Sequence, residues 1–185
     1  MQTEIEAKLK IDSLQEIEGK LLKLNAEFLD EQSQIDYYFD NEQSIFRKSD
    51  KALRLRRQKS QKCEKFFLTY KGPREKGQFK KRQEIDIEIA DFNSAHNLLS
   101  ALGYEKALVF EKKRRTYRLN QCKVALDQLP LLGTFLEIEG PDKEKISDVQ
   151  QNLGLANLPH IPESYASLMT EKLLQFGKTQ TEVFL

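Results

Sequence analysis

The chain has 185 residues, 39% of them hydrophobic and 32% charged, which is enough for one well-cored unit and short for two. Its 30 Lys and Arg nearly balance 29 Asp and Glu, so the net charge of +1 creates no global field for nucleic acid or a membrane surface, and charge selectivity must be local. Two cysteines, Cys63 and Cys122, exclude a disulfide framework and have no Cys or His neighbours of a zinc site or catalytic dyad; with no apolar leader or span, the expected location is the cytoplasm.

Glu4-Ile5-Glu6-Ala7-Lys8 opens the first predicted strand. At period two, Glu4, Glu6 and Lys8 share one face while Ile5, Ala7 and Leu9 share the other. Asp12 is a natural N-cap for a helix carrying Leu14, Ile17, Leu21 and Leu24. A long extended stretch, Glu27 to Asp40, and two strands, Ala52 to Gln58 and Lys65 to Lys71, complete this half. After a polar loop marked by Gly72, Pro73 and Gly77, the unit recurs. Glu84 to Asp91 resembles Glu4 to Asp12, and Asp91 caps a helix with Phe92, Ala95, Leu98, Leu99 and Leu102 that stops at Gly103. Strands follow at Glu105 to Leu119, Lys123 to Gln128 and Gly133 to Glu139.

The expected organisation is a single unit over 1–185, with strands within 1–140, a helical portion at 141–177 and a tail at 178–185. Asp142 caps a helix bearing Ile146, Val149 and Leu153 and ended by Gly154. Beyond the Pro159 to Pro162 linker, Tyr165, Leu168, Met169, Leu173 and Phe176 form the stripe of another helix, and Thr179 to Leu185 has no evident partner.

Several strands oppose an apolar face with a charged one. Leu53 and Leu55 alternate with Arg54 and Arg56; Ile85, Ile87 and Ile89 with Glu84, Asp86 and Glu88, with Arg82 in phase; Leu136 and Ile138 with Glu137 and Glu139. Lys71 is in phase with Thr69, and Asp127 with Ala125. On a flat sheet these charges would face water. Eight strands, however, are about enough to close a narrow barrel. The predicted fold class is therefore α+β, an eight-stranded antiparallel closed β-barrel of two pseudo-repeated halves, helices outside and charges inside. Buried charges need partners, a metal or a charged ligand. Carboxylate clusters suit Mg²⁺ or Mn²⁺, and Arg and Lys suit phosphate, so the lumen fits a metal-bound polyphosphate. Glu111 to Tyr117 stays ambiguous on periodicity, because Lys112 with Arg114, or Lys113 with Arg115, could point inward.

These residues resemble the CYTH, or triphosphate tunnel metalloenzyme, superfamily, whose hallmark Glu-x-Glu-x-Lys matches Glu4, Glu6 and Lys8. The likeness continues through Gln34-x-Asp36-x-Tyr38-Phe39-Asp40, Ala52 to Arg56, Thr69 to Gly72, Lys112-x-Arg114-x-x-Tyr117, Leu126-Asp127 and Leu132 to Glu139, nearly the whole chain and in the family's order. It favours Lys112 and Arg114 as the inward pair. Ser164-Tyr165 with Leu168 resembles the class IV adenylyl cyclase branch, and the absence of Trp is unlike the animal thiamine triphosphatases.

The resemblance implies a tunnel that threads a triphosphate between Lys8, Arg54, Arg56, Lys71, Arg82, Lys112 and Arg114, with Glu4, Glu6, Glu137 and Glu139 holding Mg²⁺ or Mn²⁺. Lys8, Arg56, Lys71, Lys112, Arg114 and Asp127 are the expected catalytic set; Glu84, Asp86 and Asp127 either assist the attacking oxygen or hold the Arg side chains. Two reactions fit. A class IV cyclase would convert ATP to cyclic AMP and pyrophosphate, and a triphosphatase would hydrolyse inorganic, thiamine or nucleoside triphosphate. A non-catalytic polyphosphate or nucleotide binder would gain little from the acidic set, and a nucleic-acid binder would need more basicity and an aromatic platform. The expected partners are a triphosphate substrate and, by the cyclase likeness, a second copy in a homodimer, with no nucleic acid and no membrane.

Overall fold

The computed structural model describes residues 2–75, 80–177 and 181–185, with the backbone alone for residues 2–4 and 80. The first half runs β1 (Gln2–Lys10), α1 (Leu14–Lys23), β2 (Glu27–Asp40), α2 (Ile45–Lys48), β3 (Ala52–Ser60) and β4 (Glu64–Lys71). The second runs β5 (Lys80–Ile89), α3 (Phe92–Ala101), β6 (Glu105–Leu119), β7 (Cys122–Leu129) and β8 (Gly133–Gly140). The chain then forms α4 (Lys143–Asn152), α5 (Tyr165–Gln175) and β9 (Glu182–Val183).

Strands β2-β3-β4-β5-β1-β8-β7-β6 hydrogen-bond in that order, and a β2–β6 pairing closes them into an eight-stranded antiparallel barrel, as the alternating charges predicted. The halves are related by a pseudo-twofold. β1 pairs with β5 and β2 with β6, each strand with its own counterpart, and registers carry over: Asp36 faces Arg56 as Arg114 faces Asp127, and Arg56 faces Phe67 as Asp127 faces Phe135. In this register Glu4 lies opposite Arg82, so Glu84 is the counterpart of Glu6, two residues out from the sequence match of Glu4 with Glu84.

Capping chemistry sets the helix starts. Asp91 accepts from the amides of Asn93 and Ser94, and Asp142 from that of Lys145, as predicted. The first helix differs: extended Ser13, not Asp12, is its cap, its hydroxyl accepting from Glu16 N at 3.2 Å. The short α2, not foreseen, is held by Asp40, whose carboxylate accepts from Phe46 N at 3.1 Å and Arg47 N at 3.0 Å. The tail also differs. Far from lacking a partner, β9 adds a parallel strand to β6 at Val109 and Phe110, and Leu185 N donates to Glu111.

The outward faces of β1, β7 and β8 bury Leu9, Leu126, Leu136 and Ile138 against Leu21 of α1 and Ile146 and Leu153 of α4. A second cluster, Phe39, Leu55 and Leu99, sits between α3 and the β2–β3 wall. The third is different in kind. Tyr165, Met169 and Leu173 of α5 pack on Leu108, Phe110, Leu129 and Phe135. Phe110 is in phase with inward Lys112, Leu129 with Asp127, and Phe135 with Glu137, so α5 covers the inner faces where the barrel ends and closes that end. The outward face of β5 is not covered in this way: Ile85 and Ile87 are 39% and 53% exposed.

Candidate active site

The barrel encloses a cavity of about 770 Å³. Its lining includes all seven basic residues singled out from the sequence, Lys8, Arg54, Arg56, Lys71, Arg82, Lys112 and Arg114, together with Glu6, Glu84, Asp86, Glu137 and Glu139. Alternation on twisted, closed strands is the reason: every second residue has nowhere to point but inward. This settles the ambiguous strand, since Lys112 and Arg114 line the lumen while Arg115 turns outward to Glu18.

Two bidentate bridges, each joining neighbouring strands, set the shape of the closed half. Arg56 grips Asp36 through Nε–Oδ1 at 2.6 Å and Nη2–Oδ2 at 2.7 Å; Arg114 grips Asp127 through Nε–Oδ1 at 2.7 Å and Nη2–Oδ2 at 2.5 Å and also reaches Glu137. Burial alone would raise the Asp36 carboxyl, but the Arg56 and Arg54 charges and the Arg56 hydrogen bonds outweigh it and hold the group far below the usual carboxylate range. Arg54 donates to Thr69 Oγ1 at 3.0 Å. Asp127, fully buried, does not line the cavity but stands behind Arg114, with Lys112 Nζ at 3.9 Å.

Tyr165, at the start of α5, is the organising residue that sequence reasoning assigned no role. Its hydroxyl donates to Asp127 Oδ2 at 2.8 Å, and its ring lies 4.1 Å from Lys8 Nζ and 5.1 Å from Lys112 Nζ. Burial, with the charges of Asp127 and Glu137, raises the phenol well above its ordinary value and keeps it a donor. Lys8 Nζ in turn donates to Glu163 O at 2.8 Å and lies 3.4 Å from Glu137. The Ser164-Tyr165 pair was visible in the sequence, but a helical apolar stripe reads as ordinary core.

The lysines carry the electrostatic stress of this packing. Burial, aided by the Arg114 charge and opposed by Asp127, brings Lys112 down to about 7. Burial and the Arg54 charge bring Lys71 down to about 8 despite its ion pair with Glu84. An anion entering the lumen therefore meets cations held close together, whose mutual repulsion it relieves.

Three of the lining carboxylates, Glu6, Glu137 and Glu139, occupy the β1–β8 wall. Glu6 lies directly opposite Glu139, and Glu137 opposite Lys8. Among the described residues no three His, Cys, Asp or Glu side chains converge as a metal site, because Glu137 is turned to Lys8 and Arg114 while Glu139 has Lys123 at 4.0 Å. The donor set nonetheless fits a hard cation: its ligands are all oxygen, and like charges facing each other across a strand pair destabilise it unless a cation lies between them. The Glu4 side chain, the fourth expected ligand, lies outside the described residues; its backbone pairs with Arg82. Glu88 departs from the inward set. The charge alternation continues past the barrel rim, and Glu88 is exposed and 3.1 Å from Lys65.

A closed barrel with cations and carboxylates converging on its lumen defines an enzyme that works on triphosphates. The chain belongs to the CYTH domain family, which matches residues 2–165; members act as metal-dependent adenylyl cyclases or triphosphatases. A Methanocaldococcus jannaschii protein provisionally named an adenylate cyclase is 33% identical over 148 residues, 80% of each chain. The adenylate cyclase CyaB of Aeromonas hydrophila is 26% identical over 92% of this chain and 90% of its own. Among solved structures, a Pyrococcus horikoshii protein superimposes with a TM-score of 0.81 at 31% identity, over 91% of this chain and 99% of that one. A Hippeastrum protein described as having a dominant triphosphatase activity shares the fold at a TM-score of 0.72 and 16% identity, over 96% and 97%.

Proposed function

We propose that the chain is an adenylyl cyclase that converts ATP to cyclic AMP and pyrophosphate, with release of a proton. The observation that carries this reading is the lumen: seven basic side chains line one cavity of about 770 Å³, a volume within the range of small-molecule sites and roomy for a nucleotide as well as its phosphates. The names of the two curated relatives, each matched over most of its length, point the same way. Lys8, Arg54, Arg56, Lys71, Arg82, Lys112 and Arg114 neutralise the triphosphate and hold it extended. The 3′-hydroxyl of the ribose then lies in line with the α-phosphorus and the bond to pyrophosphate breaks opposite it. Asp36 and Asp127 do not touch substrate in this scheme; they fix the Arg56 and Arg114 guanidinium planes.

Glu6, Glu137 and Glu139, with Glu4, would hold Mg²⁺ or Mn²⁺. The ion supplies charge neutralisation on the phosphate oxygens. Glu139→Gln provides a test that does not depend on turnover. It is expected to raise the melting temperature of metal-free protein slightly, by removing the charge opposite Glu6, and to abolish the melting-temperature increase produced by Mn²⁺ in the parent. A variant still stabilised by Mn²⁺ would contradict the assignment.

The second reading, a triphosphatase, uses the same tunnel with water as nucleophile, and the activity described for the Hippeastrum protein is the reason to keep it. Product analysis separates the two. Purified protein with ATP and Mn²⁺ is expected to yield cyclic AMP and pyrophosphate in equal amounts; orthophosphate without cyclic AMP would establish the hydrolase instead.

A further inference from the structure

One wall of the lumen is built for something other than phosphate. On β2 and β3, Gln32, Gln34 and Gln58 all line the cavity, beside Leu29 and, on β4, Phe67. Their carboxamides form a chain: Gln32 Nε2 donates to Asp30 at 2.8 Å, and Gln34 Nε2 donates to Gln32 Oε1 at 2.8 Å and Gln58 Oε1 at 3.1 Å. The amides are thereby fixed in orientation, with two groups left over. Gln34, 2% exposed, has a buried Oε1 that accepts no hydrogen bond. Gln58 Nε2 donates to no group among the described residues. A buried acceptor without a partner costs stability, and a small shift of the Gln34 side chain toward a ligand in the lumen would supply the missing donor.

Phe67 completes the wall. It faces Arg56 across the β3–β4 pair, which makes it the diagonal neighbour of Gln58, within reach of a long side chain. Its ring is half-buried and packs on no other ring among the described residues. Fixed amides with one spare donor and one spare acceptor, beside an open aromatic face, match a planar ring with a mixed hydrogen-bonding edge. Inorganic triphosphate, which offers only anionic oxygens, could take the Gln58 N–H but neither the Gln34 acceptor nor the aromatic face.

We infer that the Gln32, Gln34, Gln58 and Phe67 wall is a nucleobase subsite, which makes the substrate a nucleoside triphosphate with its base held on the β2–β4 side of the tunnel and its phosphates among the lysines and arginines. The assignment rests on the triphosphate reading of the lumen but not on cyclisation, because binding alone reports it.

The test compares the dissociation constants of ATP and inorganic triphosphate, each with Mn²⁺, by calorimetry on the full chain. The parent is expected to bind ATP more tightly than inorganic triphosphate. Gln58→Leu is expected to reduce that preference roughly tenfold, the effect of one lost base contact. Phe67→Leu is expected to reduce it by a similar factor through lost stacking. Equal weakening of both ligands in both variants would mean that the wall only supports the barrel, and an unchanged ratio would mean that the base lies elsewhere; either result overturns the proposal. A protein that forms no cyclic AMP yet shows the shifted ratio would overturn the cyclase reading and leave the subsite standing.

Discussion

Asp127→Asn is expected to destabilise the barrel by about 3–5 kcal/mol and to abolish turnover, although Asp127 does not line the lumen. The carboxylate is fully buried, accepts both arms of Arg114, takes the Tyr165 hydroxyl at 2.8 Å and has Lys112 at 3.9 Å. An asparagine keeps the volume but removes the negative charge and puts an N–H group where one of these donors needs an acceptor. Among the described residues, Arg114 then has Glu137 alone as a counter-charge in direct contact. Urea unfolding measures the loss. Leaving one charge without its partner is the costly step, so Asp127→Leu combined with Arg114→Met is expected to be less destabilising than Asp127→Leu alone. If the double variant proved at least as unstable as that single one, the buried pair would be contributing stability of its own.

Substrate affinity is expected to fall as pH rises through 7 and 8. Lys112 and Lys71 sit at about 7 and about 8 in the free protein, so each loses the charge that attracts phosphate across this window. A bound polyanion restores those charges, and binding near pH 8 should therefore take up protons, measured by calorimetry in buffers of different ionisation enthalpy. Lys112→Arg keeps its charge throughout and should flatten the lower part of the dependence. Folding stability runs the other way. Between about 7, where folded Lys112 titrates, and about 10.4, where an unfolded lysine does, the unfolded chain holds more protons, so the contribution of this residue to stability increases with pH. Affinity independent of pH between 6 and 9 would refute the proton uptake.

The positions of these groups were legible because strand alternation is a strict rule. Once Leu53, Leu55, Leu136 and Ile138 were assigned to the outside, Arg54, Arg56, Glu137 and Glu139 had one direction left. Alternation gives a face, however, and not a depth. It placed Glu88 inside although the strand has passed the rim there, and it could not say that Phe110, Leu129 and Phe135, on the same inward faces, would take a helix rather than charges. The stripe of Tyr165, Met169 and Leu173 predicted a buried helix without naming what it buries against. Gln32 and Gln34 share the inward phase of Asp36 and were within reach of the same reasoning, but amides carry no charge pattern to draw attention to them.

The pseudo-twofold would give the proposed metal a structural meaning. In the first half Lys71 faces Glu84 across β4 and β5, and the two form an ion pair. The corresponding place in the second half, across β8 and β1, pairs Glu139 with Glu6. Where one half supplies a built-in ammonium, the other carries a second carboxylate, so a mobile divalent ion would stand in for a lysine the chain could have encoded. A covalently attached charge is always present, whereas an exchangeable one arrives and leaves. Glu139→Lys would make the barrel symmetrical at this point, and a protein so changed should be more stable than the parent without the ion while losing the means to respond to it.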